Sequence, residues 1–345
     1  SIHRGHAVVC DDTGKIVHSW GDPKAVFLPR SSSKMIQALP LIESGAAAAY
    51  GLTSEHLALA CASHNGAAIH TDRVNVWMSS IGKVDDDFRC GPHEPGDIDA
   101  REILIRAEQS PCQVHNNCSG KHAGFLTLAK HLGAGAEYVD PKHPVQLACL
   151  EAFERTTCET SPGYAIDGCS APNFACTIHG MARAMARFAS ADAQSAHGQL
   201  RNAMAQHPDL VAGEGRACTR LMRAMNGKVA IKTGAEGYFI AILPEQRMGV
   251  ALKIDDGATR ASELGLAQVL DTDQAIDPAK MADALHALPH RPAPSQSDYP
   301  IKLNGLENVC DRIEQLQKTV ITNTEPDPDL GSEKQDLKSP EPSVI

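Results

Sequence analysis

The sequence contains few aromatic residues, little positive charge and no long apolar run. Phe, Trp and Tyr together make up 4% of the 345 residues, whereas Ala, Gly and Met are plentiful, a composition that favours closely packed helices. No apolar run approaches the roughly 18 residues of a membrane-spanning helix. The 32 Lys and Arg are outnumbered by 42 Asp and Glu, which gives a net charge of −10. Because no basic cluster interleaved with aromatic residues is present, this balance argues against a nucleic-acid-binding surface.

Features of a secreted protein are also missing. The chain opens with Ser-Ile-His-Arg-Gly-His and passes directly into a strand pattern, without the architecture of a signal peptide. Its eleven cysteines are odd in number and irregularly spaced, which is not the pattern of a disulfide framework. We therefore expect reduced thiols in a cytoplasmic protein. Some would be buried as small hydrophobic residues, and a few would be available to bind a metal ion.

The order of the predicted elements indicates an α+β fold. Residues 6–19 alternate around a turn and predict a β-hairpin. A long helical block follows, and three more strand patterns lie within 228–254. Strands from the two ends of a chain can pair into one antiparallel sheet. We therefore predict that residues 1–30 and 228–290 form a sheet with packing helices, and that residues 31–227 form a helical lobe.

The composition changes towards the end of the chain. Residues 289–300 are rich in proline, and 322–345 combine proline with six acidic residues and two lysines. We expect the last stretch to be a disordered acidic tail. Residues 301–320 are predicted to add one more strand or a short helix.

A hydroxyl and an amine lie three residues apart at the start of a predicted helix that follows Pro29. If this helix begins near Ser31, then Ser31 and Lys34 share one face, at the helix end that favours a developing oxyanion. Ser-x-x-Lys is the arrangement of acyl-transfer enzymes in which serine attacks and a neutral lysine accepts its proton. The alternative for this motif alone is a helix-capping serine beside a solvated lysine. A second match, Ser80-x-x-Lys83, falls at a predicted helix end.

Two further motifs strengthen the acyl-transfer interpretation. Ser63-x-Asn65 lies on a predicted loop of the helical lobe, and Lys232-Thr233-Gly234 ends a predicted strand. In this order the three motifs match the three-part signature of the serine β-lactamases and penicillin-binding proteins. In that architecture, Ser-x-x-Lys opens a helix and Lys-Thr-Gly lies on a sheet strand that faces the serine. The predicted order of elements agrees with this layout.

Five segments together resemble the Rhizobium etli-type (class 3) L-asparaginases. The similarity extends over residues 4–290. It is most distinctive in Asn-Cys-Ser-Gly-Lys-His and in Asp-Gly-Cys followed closely by proline. The five segments that carry the resemblance are residues 29–34, 62–66, 116–122, 167–172 and 232–237.

This resemblance implies a β-lactamase/glutaminase-like fold, a homodimer, and hydrolysis of L-asparagine to L-aspartate and ammonia. It also implies that Ser31 is the nucleophile with Lys34 as its partner, and that Ser63 and Lys232 form a second Ser–Lys pair. We expect Lys34, kept neutral by burial and by the like charge of Lys232, to activate Ser31. Ammonia would leave first, and water would then cleave a β-aspartyl ester.

The resemblance further implies a zinc ion in or beside the active site, bound by Cys118, Lys121 and Cys169. Cys118 and Lys121 are three residues apart at a predicted helix start, so a thiolate and an amine can converge there. A cation beside the lysine would lower its pKa and allow the neutral amine to bind. The alternative is a set of buried structural cysteines. We expect the zinc to orient the substrate and not to generate the nucleophile.

Four residues are candidates for substrate binding. Arg30, His122 and Asp167 match positions of the family that lie near the substrate and the metal. Asn65 belongs to the Ser-x-Asn motif. Cys218, on a helix before the final strands, matches a cysteine position close to the site, and it either contacts the site or belongs to the core.

Three rival interpretations stay open at this point. A glutaminase or a β-lactam/peptide hydrolase would share the fold and differ in the length of its pocket. A zinc-dependent hydrolase or deaminase would use metal-bound hydroxide, although the His-x-Glu…Pro-Cys-x-x-Cys and His-Glu-x-x-His signatures are absent. A relative that only binds a metal or an amino acid would have to keep both Ser–Lys pairs without using them.

Overall fold

The computed structural model describes residues 2–272 and has an α+β architecture. Its main layer is a five-stranded antiparallel sheet with the strand order β2-β1-β9-β8-β7. The predicted α+β class with an antiparallel sheet and many helices is therefore confirmed. The strands of this sheet are β1 (Gly5–Cys10), β2 (Ile16–Trp20), β7 (Ala230–Thr233), β8 (Tyr238–Leu243) and β9 (Met248–Ile254).

Strands from the beginning and from the later part of the chain pair in the middle of this sheet. β1 lies antiparallel to β9, with Val8 opposite Ala251, and β8 connects β9 to β7. Every residue of β8 is buried, whereas three of the five residues of the outer strand β2 are exposed. An unbroken apolar run such as that of β8 predicts a strand covered on both faces. The core of the protein therefore includes both faces of this strand.

One helix lies directly on the sheet. On α9 (Ile178–Ser190), most of the Gly and Ala residues are buried. A Cβ at Gly249 of β9 would come within 2.3 Å of the Ala182 carbonyl oxygen and 2.0 Å of the Ala186 nitrogen. Only glycine fits where a backbone approaches this closely. Small side chains on both elements thus permit the close packing that the low aromatic content predicted.

The remaining helices lie mostly between the two groups of strands in the chain. None of the helices in residues 2–272 has the length and apolar character needed to cross a membrane. Counting α9, twelve α-helices lie between β2 and β7 in the chain, and α13 (Thr259–Thr272) follows β9. Besides α9, they are α1 (Lys34–Gln37), α2 (Leu39–Glu43), α3 (Ala46–Ala49), α4 (Ser54–Ala60), α5 (Ala68–Ser80), α6 (Ile98–Arg106), α7 (Ser119–His131), α8 (Pro144–Thr157), α10 (Ala196–Gln206), α11 (Pro208–Val211) and α12 (Ala217–Ala224).

Two small antiparallel pairs were not expected from the sequence. β3 (Val26–Phe27) pairs with β6 (Cys176–Thr177), and β4 (Tyr164–Ile166) pairs with β5 (Pro172–Phe174). Strands of two or three residues are too short to show a period, so the sequence carries no signal for them. They matter for the site because β3 leads into the Ser-x-x-Lys motif and the β4–β5 loop carries Cys169.

Several predictions reach beyond the described residues. The end of the predicted sheet region at residue 290, the strand or helix predicted for 301–320 and the tail predicted for 322–345 all lie outside them. The division into a sheet with its packing helices and a helical lobe stays a prediction.

Candidate active site

The Ser-x-x-Lys motif folds as a 3-10 turn that continues into an α-helix. Arg30–Ser33 form the turn, and α1 begins at Lys34. Arg30 has a φ of +52°, a left-handed conformation that is uncommon for residues other than glycine, so the chain bends sharply just before Ser31. Ser31 is half-buried. Pro29 precedes the turn and Ser33 precedes α1, and neither start has a side-chain capping hydrogen bond; Ser31 therefore does not cap the helix.

The side chain of Lys34 points into the interior. The residue is 1% exposed, so the alternative of a solvated surface lysine is also wrong. Its Nζ donates to the carbonyl of Ala62, to Ser63 Oγ at 3.0 Å and to Cys118 Sγ at 3.1 Å. These three acceptors match the three N–H donors of an ammonium group. They draw the amine towards the second motif instead of back towards the serine three residues before it.

Lys232 reaches the same hydroxyl from the sheet. It lies on β7, and its Nζ donates to Ser63 Oγ at 2.8 Å and to the carbonyl of Thr233 at 2.6 Å. Ser63 Oγ therefore receives one N–H from each lysine. These two bonds occupy both lone pairs of the hydroxyl and leave its O–H free to donate. The structure thus brings together Lys34, Ser63 and Lys232, which are far apart in the sequence.

The two lysines affect each other because both are buried. Burial, and then the charge of Lys34, lowers the pKa of Lys232 from 10.5 to about 7, since desolvation and a like charge both disfavour the ammonium form. Near neutral pH Lys232 can therefore lose its proton and act as a base. The neutral state expected for Lys34 stays a prediction.

The loop that carries Ser63 is tied to the start of α7 by His64. The backbone N–H of His64 donates to the carbonyl of Asn117 at 3.2 Å. Its ring accepts at Nδ1 from the N–H of Gly66 at 3.2 Å, so Nε2 carries the proton and donates to Ser119 Oγ at 2.9 Å. Burial keeps the pKa of His64 well below its usual value, so the ring is neutral. In the sequence, His64 is only the variable position of Ser63-x-Asn65, and no role was predicted for it.

Asn65 turns away from the lysines. Its amide donates to Asp97 Oδ2 at 3.3 Å and accepts from the N–H of Ala67 at 3.4 Å. Its side chain packs against Gly213, where a Cβ would come within 2.4 Å of the Asn65 Cγ. Gly213 has a φ of +109°, which glycine adopts without strain. The structure therefore places Asn65 against neighbouring loops and does not bring its amide to the lysine pair.

The three predicted metal ligands lie together beside the buried group of Lys34, Ser63 and Lys232, which we name the lysine pocket. Lys121 Nζ donates to Cys169 Sγ at 3.0 Å. Contact with Cys118 and the charge of Lys121 lower the pKa of Cys169, whereas contact with Cys169 and burial raise the pKa of Cys118. Burial opposes the charge of Lys121, but the two neighbouring sulfurs raise its pKa. A metal bound here would have to displace the proton of this amine.

The donor set fits a zinc site that keeps an open position. Residues 2–272 contain no group of three His, Cys, Asp or Glu side chains that could hold a metal ion, so a metal would need the amine of Lys121 as its third ligand. Two thiolates, one amine and an open position satisfy the four-coordinate preference of Zn²⁺. His122 lies beside this set: its Nδ1 is 2.9 Å from the hydroxyl of Tyr138, and its contact with Cys169 helps to lower the pKa of that thiol.

Arg30 forms an ion-pair cluster where the site becomes exposed. Its guanidinium contacts Asp167 at 2.7 Å and Glu236 at 2.5 Å, and the bond to Asp167 raises the pKa of Arg30. We name Arg30, Asp167 and Glu236 the arginine cluster. Glu236 falls inside a segment that carries the family resemblance, but no role was predicted for it. Its position two residues after Lys-Thr-Gly indicates a place near the site and does not reveal the contact with Arg30.

Cys218 is both a core residue and a neighbour of the Lys-Thr-Gly strand. It is 1% exposed, and its Sγ accepts from the N–H of Thr233 at 3.2 Å. Burial raises its pKa, which keeps the group a neutral thiol. Cys218 therefore supports the strand from which Lys232 projects.

The chain is also similar to two solved structures at low sequence identity. A β-lactamase (Mb2281c) from Mycobacterium bovis is 15% identical, with a TM-score of 0.40, and the match covers 79% of this chain and 95% of that chain. The octameric penicillin-binding protein homologue from Pyrococcus abyssi is 10% identical, with a TM-score of 0.36, and the match covers 78% of this chain and 74% of that chain. At these TM-scores the similarities carry no argument about activity or mechanism.

Comparison with protein families is more specific. No curated protein matches the chain. A family model described as L-asparaginase II matches residues 1–301, a range that includes every residue of the site described above. The chain belongs to the L-asparaginase II family.

Proposed function

We propose that this protein hydrolyses L-asparagine to L-aspartate and ammonia, as an L-asparaginase of the Rhizobium etli type. Family membership supports a hydrolase of this kind. The observation that carries the proposal is the Ser63 hydroxyl held by Lys34 and Lys232 at 3.0 and 2.8 Å in a buried pocket next to the Ser31 turn. Together with Ser31, this pocket supplies a nucleophile, a base and a proton donor for acyl transfer.

Ser31 is the proposed nucleophile because it is half-buried and open to a substrate, whereas Ser63 is 7% exposed. The Ser31 oxygen attacks the side-chain amide carbon of asparagine, and the hydroxyl proton passes to the lysine pair, in which Lys232 has its pKa lowered to about 7. Backbone N–H groups of the first helical turn stabilise the oxyanion.

The free O–H of Ser63 then donates a proton to the departing nitrogen, and Lys34 or Lys232 replaces that proton. The carbon–nitrogen bond breaks, ammonia leaves, and a β-aspartyl ester remains on Ser31. Water attacks this ester, the lysine pair accepts a proton from the water, and the proton returns to the Ser31 oxygen as L-aspartate departs.

The first test is ammonia release from L-asparagine and L-glutamine by the wild type, Ser31→Ala and Ser63→Ala. We expect Ser31→Ala to abolish turnover and to form no covalent aspartyl adduct detectable by mass spectrometry. Ser63→Ala should form the adduct about 10²–10⁴ times more slowly, since it loses a proton relay. Ser80→Ala is the matched control, because Ser80 belongs to the second Ser-x-x-Lys match and is exposed. Full activity of Ser31→Ala would move the nucleophile to Ser63 or to water.

We also propose that Cys118, Lys121 and Cys169 hold a zinc ion. When bound, zinc would supply a positive charge that orients the polar end of the substrate. We expect the purified enzyme to contain about one zinc per chain, measured by atomic absorption, and Cys169→Ser to lose it. Cys158→Ser is the matched control because Cys158 is an exposed thiol. Zinc retained in full by Cys169→Ser would exclude this site.

We also propose a homodimer, which the family resemblance supports, and a cytoplasmic location, which the odd and irregularly spaced set of cysteines supports. Light scattering should give twice the chain mass of 36.8 kDa, and a molar mass equal to a single chain would refute the dimer.

A further inference from the structure

The guanidinium of Arg30 connects three segments of the site. Its Nε and Nη2 donate to Oδ1 of Asp167 at 3.0 and 2.7 Å, and its Nη1 donates to Oε1 of Glu236 at 2.5 Å. Asp167 belongs to the loop that carries Cys169, and Glu236 lies in the turn that follows β7. One cation is therefore held between two carboxylates, so the arginine cluster has a net charge of −1.

The arginine cluster has hydrogen-bond donors and acceptors that the described residues do not use. A guanidinium has five N–H donors, and the bonds above use three of them. Among the described residues, the hydrogen bonds to these carboxylates go to Oδ1 of Asp167 and Oε1 of Glu236, so the second oxygen of each is available. Unused N–H donors suit a carboxylate, and an unused carboxylate oxygen suits an ammonium group. The cluster is thus complementary to a zwitterion.

Exposure distinguishes the two carboxylates. The side chain of Asp167 is 15% exposed and that of Glu236 is 67% exposed. Asp167 Oδ1 also accepts from the N–H of Gly168 at 2.8 Å, which fixes this carboxylate within its own loop. The hydrogen bond of Glu236 within residues 2–272 goes to Arg30. Glu236 is therefore the carboxylate with a free oxygen on the solvent side.

The backbone holds Glu236 in an unusual conformation. Its φ is +59°, which is unfavourable for a residue with a Cβ. The turn also packs against the serine segment, because a Cβ at Gly234 would come within 2.8 Å of Ser32 Oγ. A strained residue beside a site is a reason to seek a role for its side chain. Here the left-handed backbone conformation places the Glu236 carboxylate next to the Arg30 guanidinium.

The location suits the charged end of an amino acid amide. In L-asparagine, three bonds of about 1.5 Å separate the side-chain amide carbon from the α-nitrogen and from the α-carboxylate carbon, so these groups lie about 4 Å from the reacting carbon. Arg30 directly precedes Ser31, and the turn that leads to Glu236 packs on Ser32. This placement favours the arginine cluster as the part of the site that meets the charged groups of a substrate attacked by Ser31.

We propose that Glu236 selects substrates that carry a free α-ammonium group. Its second oxygen accepts a hydrogen bond from the ammonium, while the unused donors of Arg30 hold the α-carboxylate. The substrate class is then the zwitterionic α-amino acid amides, and amides without the α-amino group are disfavoured. This inference rests on the proposed asparagine hydrolysis and adds to it the residue that recognises the amino group.

The test compares L-asparagine with succinamic acid, which is the same molecule without the α-amino group. We expect Glu236→Gln to lower kcat/KM for L-asparagine about 10- to 100-fold, the loss of one charge-assisted hydrogen bond, mainly through KM. The value for succinamic acid should change little, because that substrate offers no ammonium. Glu245→Gln is the matched control, since Glu245 is an exposed carboxylate (59%) paired with Lys228 at 2.8 Å. It lies beyond the other end of β8 and should leave both values unchanged.

Other outcomes separate this inference from the proposed function. Equal losses on both substrates would mean that Glu236 only supports Arg30, and unchanged values would mean that it has no role; either result overturns the inference. If the wild type hydrolyses neither compound, the proposed function fails. Calorimetric binding of L-aspartate and succinate then decides the inference, which requires Glu236→Gln to weaken L-aspartate binding alone.

Discussion

The lysine pocket and the arginine cluster are two charged regions of one site with opposite surroundings. In the pocket, the amino groups of Lys34 and Lys232 share one hydroxyl, and both residues are 1% exposed. In the cluster, one guanidinium meets two carboxylates whose exposure reaches 67%. The pocket therefore holds two basic groups away from water, whereas the cluster pairs opposite charges beside it.

This difference separates proton transfer from substrate binding. Burial and like charge lower the pKa of Lys232 to about 7, so this region can gain and lose a proton near neutral pH. In the cluster, the bond to Asp167 raises the pKa of Arg30, so its charge is constant. A buried pair of like charges is suited to catalysis, and a partly exposed ion-pair cluster is suited to holding a charged ligand.

The largest expected effect comes from removing the base of the pocket. Lys232→Met should lower kcat about 10²–10⁴-fold, the usual contribution of a positioned acid or base, with a much smaller change in KM. Steady-state kinetics with L-asparagine measures both. Arg30 and its carboxylates are untouched in this variant, so a loss that falls mainly on KM would contradict the separation of the two regions.

The pH dependence identifies the titrating group. Because the pKa of Lys232 is lowered to about 7, its neutral form predominates above that pH. We expect kcat/KM of the wild type to rise with pH through about 7 and then to level off. The residual activity of Lys232→Met should lack this inflection. An unchanged inflection in the variant would assign the titration to another group.

A higher salt concentration should weaken substrate binding at the arginine cluster and leave proton transfer in the lysine pocket nearly unchanged. Raising NaCl from about 0.02 to 0.5 M shortens the screening length to a few Å, which weakens charge interactions at partly exposed side chains such as Glu236. We expect KM for L-asparagine to rise about two- to fivefold while kcat stays nearly constant, because buried pairs are screened little. The neutral osmolyte sucrose at equal osmolarity is the control. A fall in kcat with constant KM would contradict the assignment of substrate binding to the arginine cluster and of proton transfer to the lysine pocket.

Much of the architecture could be predicted from the sequence. The apolar run of β8 and the alternation around the first hairpin predicted strands of the main sheet, and their pairing is antiparallel. The three motifs predicted Lys34, Ser63 and Lys232 as chemical groups, and the structure places them in one pocket. These features depend on local residue pattern, which a sequence shows directly.

Other features could not be predicted because they depend on contacts between distant segments. The direction of Asn65 towards Asp97 requires the space left by Gly213, more than a hundred residues later. The role of Glu236 depends on its contact with Arg30, which a turn with a left-handed residue creates. No periodicity or motif reports either contact.

The sequence by itself determined which chemical groups this protein has and on which kinds of element they lie: a serine and lysine at a helix start, a lysine on a strand, thiols in loops and at a helix start. Only the tertiary structure decided how those groups behave. It turned Lys34 towards Ser63, lowered the pKa of Lys232 through burial and a like charge, and placed Arg30 between two carboxylates. The physical reason is that pKa and hydrogen bonding depend on distance and solvent exposure, which folding sets for residues far apart in the chain.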